Sequence, residues 1–232
     1  MKRLTLILFT VLVMIFGVSA ASAADIGLSE WILNINGIGT YSYYGDPMPA
    51  GVNVAGFNDL TGLGTITIQL SGLTGAQYVG GFFDHEIMDL NNPYDNEFGS
   101  AIGSPAAGQS WEIDEPEWVF GDIVTNLTSG ALDNSNGVPE ISDDDVSMAL
   151  GWDFVLALDE QATITLLLST IAPSSGFYLQ HADSDSCESI FFSSTLDIGP
   201  SNPVPIPSAM LLLGSGLAGL AGLRKKYAKT SV

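Results

Sequence analysis

Positive and negative charge are segregated along this 232-residue chain. Its six cations are Lys2, Arg3, Arg224, Lys225, Lys226 and Lys229, all in the two end segments. All 26 acidic residues fall between Asp25 and Asp197. The stretch between the ends therefore has no Lys or Arg with which to build a salt bridge. Whatever folds there is held by apolar burial, by hydrogen bonds, or by cations taken from solution. A surface of this sign repels polyanions and lacks the Lys and Arg that grip phosphates, which excludes nucleic acid as a partner.

High negative charge can also mark disorder, but disordered acidic chains are poor in aromatic and β-branched residues. This one carries Trp31, Trp111, Trp118 and Trp152 among many Phe, Tyr, Ile and Val, and it is expected to fold. Short runs of such residues recur between clusters of Gly, Pro, Asn, Asp and Ser, the pattern of an antiparallel sheet protein. The clearest are Ser147 to Leu158, with Trp152, Phe154, Leu156 and Leu158 alternating, and Gln161 to Ser169, with Ala162, Ile164, Leu166 and Leu168 on one face. Asp159-Glu160 between them reads as a hairpin turn. Further strands are predicted near Trp31 to Ile35, Val52 to Phe57, Thr65 to Leu70, Tyr78 to Phe83, Trp118 to Val124, Phe177 to Gln180 and Ile190 to Ile198. Asn91 to Glu117 is rich in turn residues and is read as one long loop, as is Asp133 to Asp144. The fold class expected is all-β: one antiparallel β-sandwich ectodomain, jelly-roll-like, with an N-terminal signal helix and a short C-terminal transmembrane helix.

The ends carry their own signals. Lys2-Arg3, an apolar run from Leu4 to Val18 and the small residues Ser19 to Ala24 read as a secretory signal over residues 1–24, cleaved after Ala23 or Ala24. Residues 25–199 form the acidic body, and 200–207, with Pro200, Pro203, Pro205 and Pro207, form a stiff extended spacer. Residues 208–223 are uncharged and mostly apolar. As a helix they reach about 24 Å, short of a bilayer core of about 30 Å, and they would span it with thinning or with snorkelling cations. The basic cluster Arg224, Lys225 and Lys226 then predicts a cytoplasmic tail over 224–232, which places the body on the outer side.

Taken in order, Val204-Pro205-Ile206-Pro207, a Leu/Gly-rich segment and a terminal basic cluster resemble the PEP-CTERM sorting signal processed by exosortases. Ile206 stands where the founding pattern has Glu, which resembles the variant signals with an apolar residue there. The resemblance covers roughly the last thirty residues. It implies an exosortase as processing partner, a transient membrane anchor, export through the inner membrane, and a place in the envelope, on the cell surface or in extracellular polymer, often with exopolysaccharide and biofilm. The β-sandwich ectodomains that often precede such signals show a strand pattern similar to Asp144–Ser169 and Ser189–Asp197.

Within the body the acids cluster at Asp84-His85-Glu86 with Asp89, at Glu112-Asp114-Glu115-Glu117, at Asp143-Asp144-Asp145 and at Asp183-Ser184-Asp185 with Glu188. Crowded carboxylates suit a hard cation, and calcium is the one expected, with Asp143, Asp144, Asp145, Asp183, Asp185 and Glu188 as candidate ligands. None of these strings completes a known calcium loop, and a solvated acidic surface is the plainer reading of any one of them. No catalytic constellation is read, and no enzyme is expected. His85 and His181 are the only histidines, and His85 reads as an exposed strand-end residue. Cys187, the single cysteine, reads as a small buried hydrophobe, the alternative being a bridge to another chain. Tyr41, Tyr43, Tyr44, Trp111 and Trp118 could stack on sugar rings or lie in the core, and extracellular polysaccharide is the candidate ligand of a calcium-dependent binding module.

Overall fold

A computed structural model describes residues 25–42, 44–88, 96–117, 120–141 and 144–201. The secretory signal with Ala23 and Ala24, the sorting motif, the apolar segment 208–223 and the basic cluster lie outside the described residues, as do Asp89, Asp143, Tyr43 and Trp118. Among the described residues no helix is long and apolar enough to cross a membrane.

Among the described residues the body is an all-β antiparallel sandwich of eleven strands and one short helix. Sheet A contains β1 (Asp25–Ile35), β2 (Ile38–Tyr41), β5 (Gly75–Met88), β7 (Gln109–Asp114) and β8 (Ser147–Leu156), in the order β2-β1-β5-β8-β7. Sheet B contains β3 (Val52–Asn58), β4 (Leu63–Ser71), β6 (Glu97–Ile102), β9 (Glu160–Ser169), β10 (Tyr178–Asp183) and β11 (Ser189–Pro200), in the order β3-β4-β9-β11-β10-β6. The helix α1 (Ile123–Ser129) packs on the outer face of sheet A.

Strict alternation builds the core. On β8, Met148, Leu150, Trp152, Phe154 and Leu156 point inward, and on β9, Ala162, Ile164, Leu166 and Leu168 do the same. These residues meet Ile66, Ile68, Phe83, Ile190 and Phe192 in one continuous buried cluster. Phe83 and Phe192 touch edge to face at 5.0 Å across the two sheets, the geometry that aromatic quadrupoles favour.

The expected β8–β9 hairpin is corrected by the pairing. β8 pairs with β5 and β7, whereas β9 pairs with β4 and β11. The turn at Leu158-Asp159 is a corner between sheets. It is closed by Glu160 N–H to Ala157 O at 3.2 Å and by Ala157 N–H to the Glu160 carboxylate at 2.8 Å. Two strands with matching apolar faces can pair side by side or stack face to face, and here they stack.

Two further expectations give way. The stretch read as a loop from Asn91 contains β6 and β7, and Gly99 shows why its strand character was masked. A Cβ there would collide with Ile113 Cγ2, so the residue that weakens the pattern is the one that lets β6 approach β7. The predicted strand over Trp118–Val124 gives way at its end to α1. Ile123 and Leu127, four residues apart, bury one helix face against Ile32, Phe82 and Ala149. Gly130 ends α1 in the left-handed conformation with its N–H on the Leu127 carbonyl, and Asn34 on β1 donates to the carbonyls of Leu127 (2.7 Å) and Thr128 (3.0 Å) in the last turn.

Candidate metal site and surface clefts

The long strand β5 presents two chemistries on its two faces at one end of the sandwich. Phe83, His85 and Ile87 point inward, while Asp84 and Glu86 point to the outer face beside Glu30 of β1. A bulge in β1 between Leu28 and Glu30 frees Ser29 from the ladder, and its hydroxyl donates to Glu86 Oε1 at 3.0 Å. On its other side β5 pairs with β8 only as far as Asp84 opposite Ser147. Upstream of that point the chain leaves sheet A, and Asp144 exchanges backbone hydrogen bonds with Glu97 of β6, at 3.0 and 3.2 Å. Asp145 lies on this crossing between the two sheets.

The result is a group of three carboxylates, Asp84, Glu86 and Asp145, whose ligand atoms all lie within 4.8 Å of one another. Asp84 is only 2% exposed, and neither its Oδ1 nor Oδ1 of Asp145 meets a hydrogen-bond donor. Burial, then the facing carboxylates of Asp145, Glu86, Glu30 and Glu97, pushes the Asp84 carboxyl up to about 9. Asp145 is pushed up to about 7, again by burial first and then by Glu86 and Glu97. An acidic group under this much repulsion suits a bound cation, and these side chains could bind a metal ion.

Behind the group runs a buried polar belt. Glu97, 1% exposed, accepts the backbone N–H of Ile87 at 2.9 Å through Oε1, the position from which β8 has departed. Its Oε2 lies 2.7 Å from Nε2 of His181 on neighbouring β10 of the same sheet, so Glu97 links Ile87 of sheet A to the buried imidazole of sheet B. His85 is fully buried, which corrects the reading of it as an exposed strand-end residue. Its Nε2 lies 3.2 Å from the carbonyl of Gly62, and burial, then the nearby His181, lowers its pKa to about 3. His85 is therefore a neutral interior ring aimed away from the carboxylates.

A second acidic group, Glu112, Asp114 and Asp122, lies where β7 meets α1. Its charges are already served by donors. Asn126 Nδ2 donates to both Glu112 oxygens at 3.0 and 3.2 Å, Asp133 N–H reaches Glu112 at 3.3 Å, and Asp122 N–H reaches Asp114 at 2.9 Å. Of the six candidate ligands read from the sequence, Asp145 joins a cation-competent group. Asp144 lies beside it and caps the backbone N–H of Asp145 at 3.0 Å. Asp183, 2% exposed, turns its Oδ1 onto the N–H groups of Asp185 (2.9 Å) and Ser186 (2.5 Å), an Asx-type turn that Glu188 closes by accepting the Asp183 N–H on its carbonyl. Asp183, Asp185 and Glu188 belong to neither of the two acidic groups found among the described residues. In the same turn Cys187 is exposed with φ 61°, which corrects its reading as a buried residue. Asp84 and Glu86 are legible in the sequence as an acidic run; that Asp145 joins them depends on the crossing between sheets.

Two of the clefts among the described residues bear on ligand binding. One of about 200 Å³ is lined by Glu30, Ile32, Tyr41, Tyr44, Pro116, Glu117 and Val124, with the Tyr41 and Tyr44 rings edge to face at 5.6 Å. The other, about 420 Å³, opens over Trp152, Gln109 and Ser194. Trp111 packs against Phe177 at 5.9 Å and belongs to the margin of the core.

No protein-family model matches the chain, and neither curated proteins nor solved structures give a match.

Proposed function

We propose that the protein is an exported component of the cell surface or extracellular matrix, with a structural or interaction role associated with exopolysaccharide or biofilm. Its jelly-roll-like ectodomain is delivered by the C-terminal sorting signal, which an exosortase processes, and calcium is its counter-ion. The observation that carries this reading is the charge partition: every Lys and Arg lies in a terminal segment with the form of a targeting signal, and the sandwich between them has none. Among the described residues the pairing is in place from the first of them, with Asp25 opposite Met88. An exterior rich in divalent cations suits a body that cannot neutralise itself.

Intact-mass measurement of the protein from cells with and without an exosortase tests the reading. The expected product starts at Ala24 or Asp25 and lacks the residues beyond the Val204–Pro207 motif when the enzyme is present, and keeps them when it is absent. Recovery of an uncut cytosolic chain from Met1 to Val232 in both cases overturns it.

The Tyr41–Tyr44 cleft supports a second reading, a calcium-dependent carbohydrate-binding module of the envelope. Two tyrosines beside the carboxylates of Glu30 and Glu117 combine a stacking surface with acceptors for sugar hydroxyls. A glycan array probed in calcium separates the two, since a blank array leaves the structural role alone.

A further inference from the structure

We propose that Asp84, Glu86 and Asp145 form a calcium site that clamps the end of sheet A to the segment crossing over from sheet B, an inference that rests on calcium being the counter-ion.

Three observations converge on it. The first is an unserved interior acid: Asp84 is 2% exposed and its Oδ1 has no donor, a condition that costs folding free energy unless a cation or a proton is present. The second is that the body has no Lys or Arg to fill that role, its nearby imidazole His181 is held against Glu97 at 2.7 Å, and the strand neighbour of Asp84 is another acid, Glu30. The third is the way the ligands are delivered. Asp84 and Glu86 come from consecutive outward positions of β5, Asp145 comes from the crossing segment, and Ser29, released by the bulge in β1, holds Glu86 by its Oε1.

The donor set offers oxygen alone, because His85 faces the opposite side of β5 and is held at Gly62. That selects a hard cation. An irregular set of three carboxylates completed by water suits calcium, which accepts six to eight ligands in flexible geometry, better than magnesium, which demands a near-ideal octahedron. The site would act on architecture. Sheet A loses its β8 ladder beyond Asp84, and the ion would replace that lost pairing by bonding β5 to the segment that runs on to Glu97 in sheet B.

Thermal unfolding of the full chain in chelator, in millimolar calcium and in sodium chloride of matched ionic strength tests this, with wild type, Asp84→Asn, Asp145→Asn and Asp197→Asn compared. For an extracellular-type site, calcium is expected to raise the wild-type Tm by about 5 °C or more, with no equal effect from sodium chloride. Asp197→Asn removes one exposed charge elsewhere and is expected to keep the shift. Asp84→Asn and Asp145→Asn are expected to lose it, and in chelator Asp84→Asn is expected to melt no lower than wild type, because Asn keeps the shape and needs neither a cation nor a proton to be buried neutral. This crossover is not produced by a residue that matters only for packing. An equal calcium shift in wild type and in both site variants places the ion elsewhere and overturns the site while leaving calcium as counter-ion. No shift in wild type overturns both. If Asp84→Asn fails to fold, the less buried Asp145→Asn decides by the same comparison, a lost shift supporting the site and a kept shift overturning it.

Discussion

Asp84 on β5 stands directly opposite Glu30 on β1, so two acids occupy facing positions on one side of neighbouring strands. Burial raises the pKa of both, and the Asp84 carboxyl feels Glu30 as one of its repelling neighbours. Like charges placed directly across an antiparallel ladder cost about 0.2–1 kcal/mol. Above about pH 9, where the Asp84 carboxyl is ionised without a cation, Glu30→Gln is therefore expected to raise Tm in chelator by about 1–3 °C and to gain less in calcium, where the charge it relieves is already compensated. Equal or lower stability in chelator would show that Glu30 is held by contacts other than its charge.

Glu112 sets an expected pH dependence that is separate from the group of Asp84, Glu86 and Asp145. Burial, offset by the Asn126 and Asp133 donors and reinforced by the Asp133 and Asp122 charges, pushes its carboxyl up to about 7 from the usual 4.5. The folded chain thus keeps this proton when the unfolded chain has lost it. Its contribution to stability is complete below pH 4.5 and is lost as pH rises from 4.5 through 7. Glu112→Gln mimics the protonated form at every pH. The Tm gap between variant and wild type is expected to move in favour of the variant across that interval and to level off above it. A gap that does not change with pH would mean that Glu112 titrates alike in the folded and unfolded chain.

Ser194 of β11 accepts two hydrogen bonds at the mouth of the larger cleft, from Trp152 Nε1 at 2.9 Å and from Gln109 Nε2 at 3.1 Å. Both donors belong to sheet A, so one hydroxyl links the sheets at the end of the sandwich where Gln109 and Trp152 pair. Ser194→Ala strands both donors at a cost of about 1–3 kcal/mol. The lower end of that range applies if water enters from the cleft. The expected readout is a lower urea midpoint with an unchanged m-value.

Gly62 holds a positive φ of 65°, and a Cβ there would collide with Nε2 of His85 and lie 2.8 Å from Leu28 Cδ1. The buried imidazole is held between the Gly62 carbonyl at 3.2 Å and the ring of Phe83 at 6.2 Å, and moving it would disturb both contacts. Gly62→Ala is expected to destabilise the fold by about 2 kcal/mol or more, from backbone strain together with the clash. A near-neutral melting curve would mean that the turn at Gly62 and the ring of His85 can shift together.

Sequence and structure agree where one face of a strand is buried and the other is wet. The alternation of Ala162, Ile164, Leu166 and Leu168 specifies β9, and that of Trp152, Phe154 and Leu156 specifies β8. Alternation names the face, however, and not the neighbour, so the same residues that reveal these two strands are silent on whether they pair or stack. The seven residues of α1 bury only Ile123 and Leu127, too few for a helical period to stand out, although Gly130 past its end is a fair stop signal. β6 is hidden because its Gly99 serves close packing. The metal group is half legible for a similar reason. Asp84 and Glu86 lie two apart on one strand face, while Asp145 joins them through topology, and the buried, neutral state of His85 follows from the same placement.

The position of β11 carries one more consequence. It is the last strand among the described residues, yet it lies inside sheet B between β9 and β10, and β10 with β6 is joined to the rest of that sheet only through it. A polypeptide emerging from its N-terminus can assemble sheet A once residue 156 has appeared, but sheet B stays in two pieces until residues 189–200 follow. Completion of sheet B thus waits until nearly the whole described body has emerged, and any earlier fold holds at most sheet A and two separate pieces of sheet B.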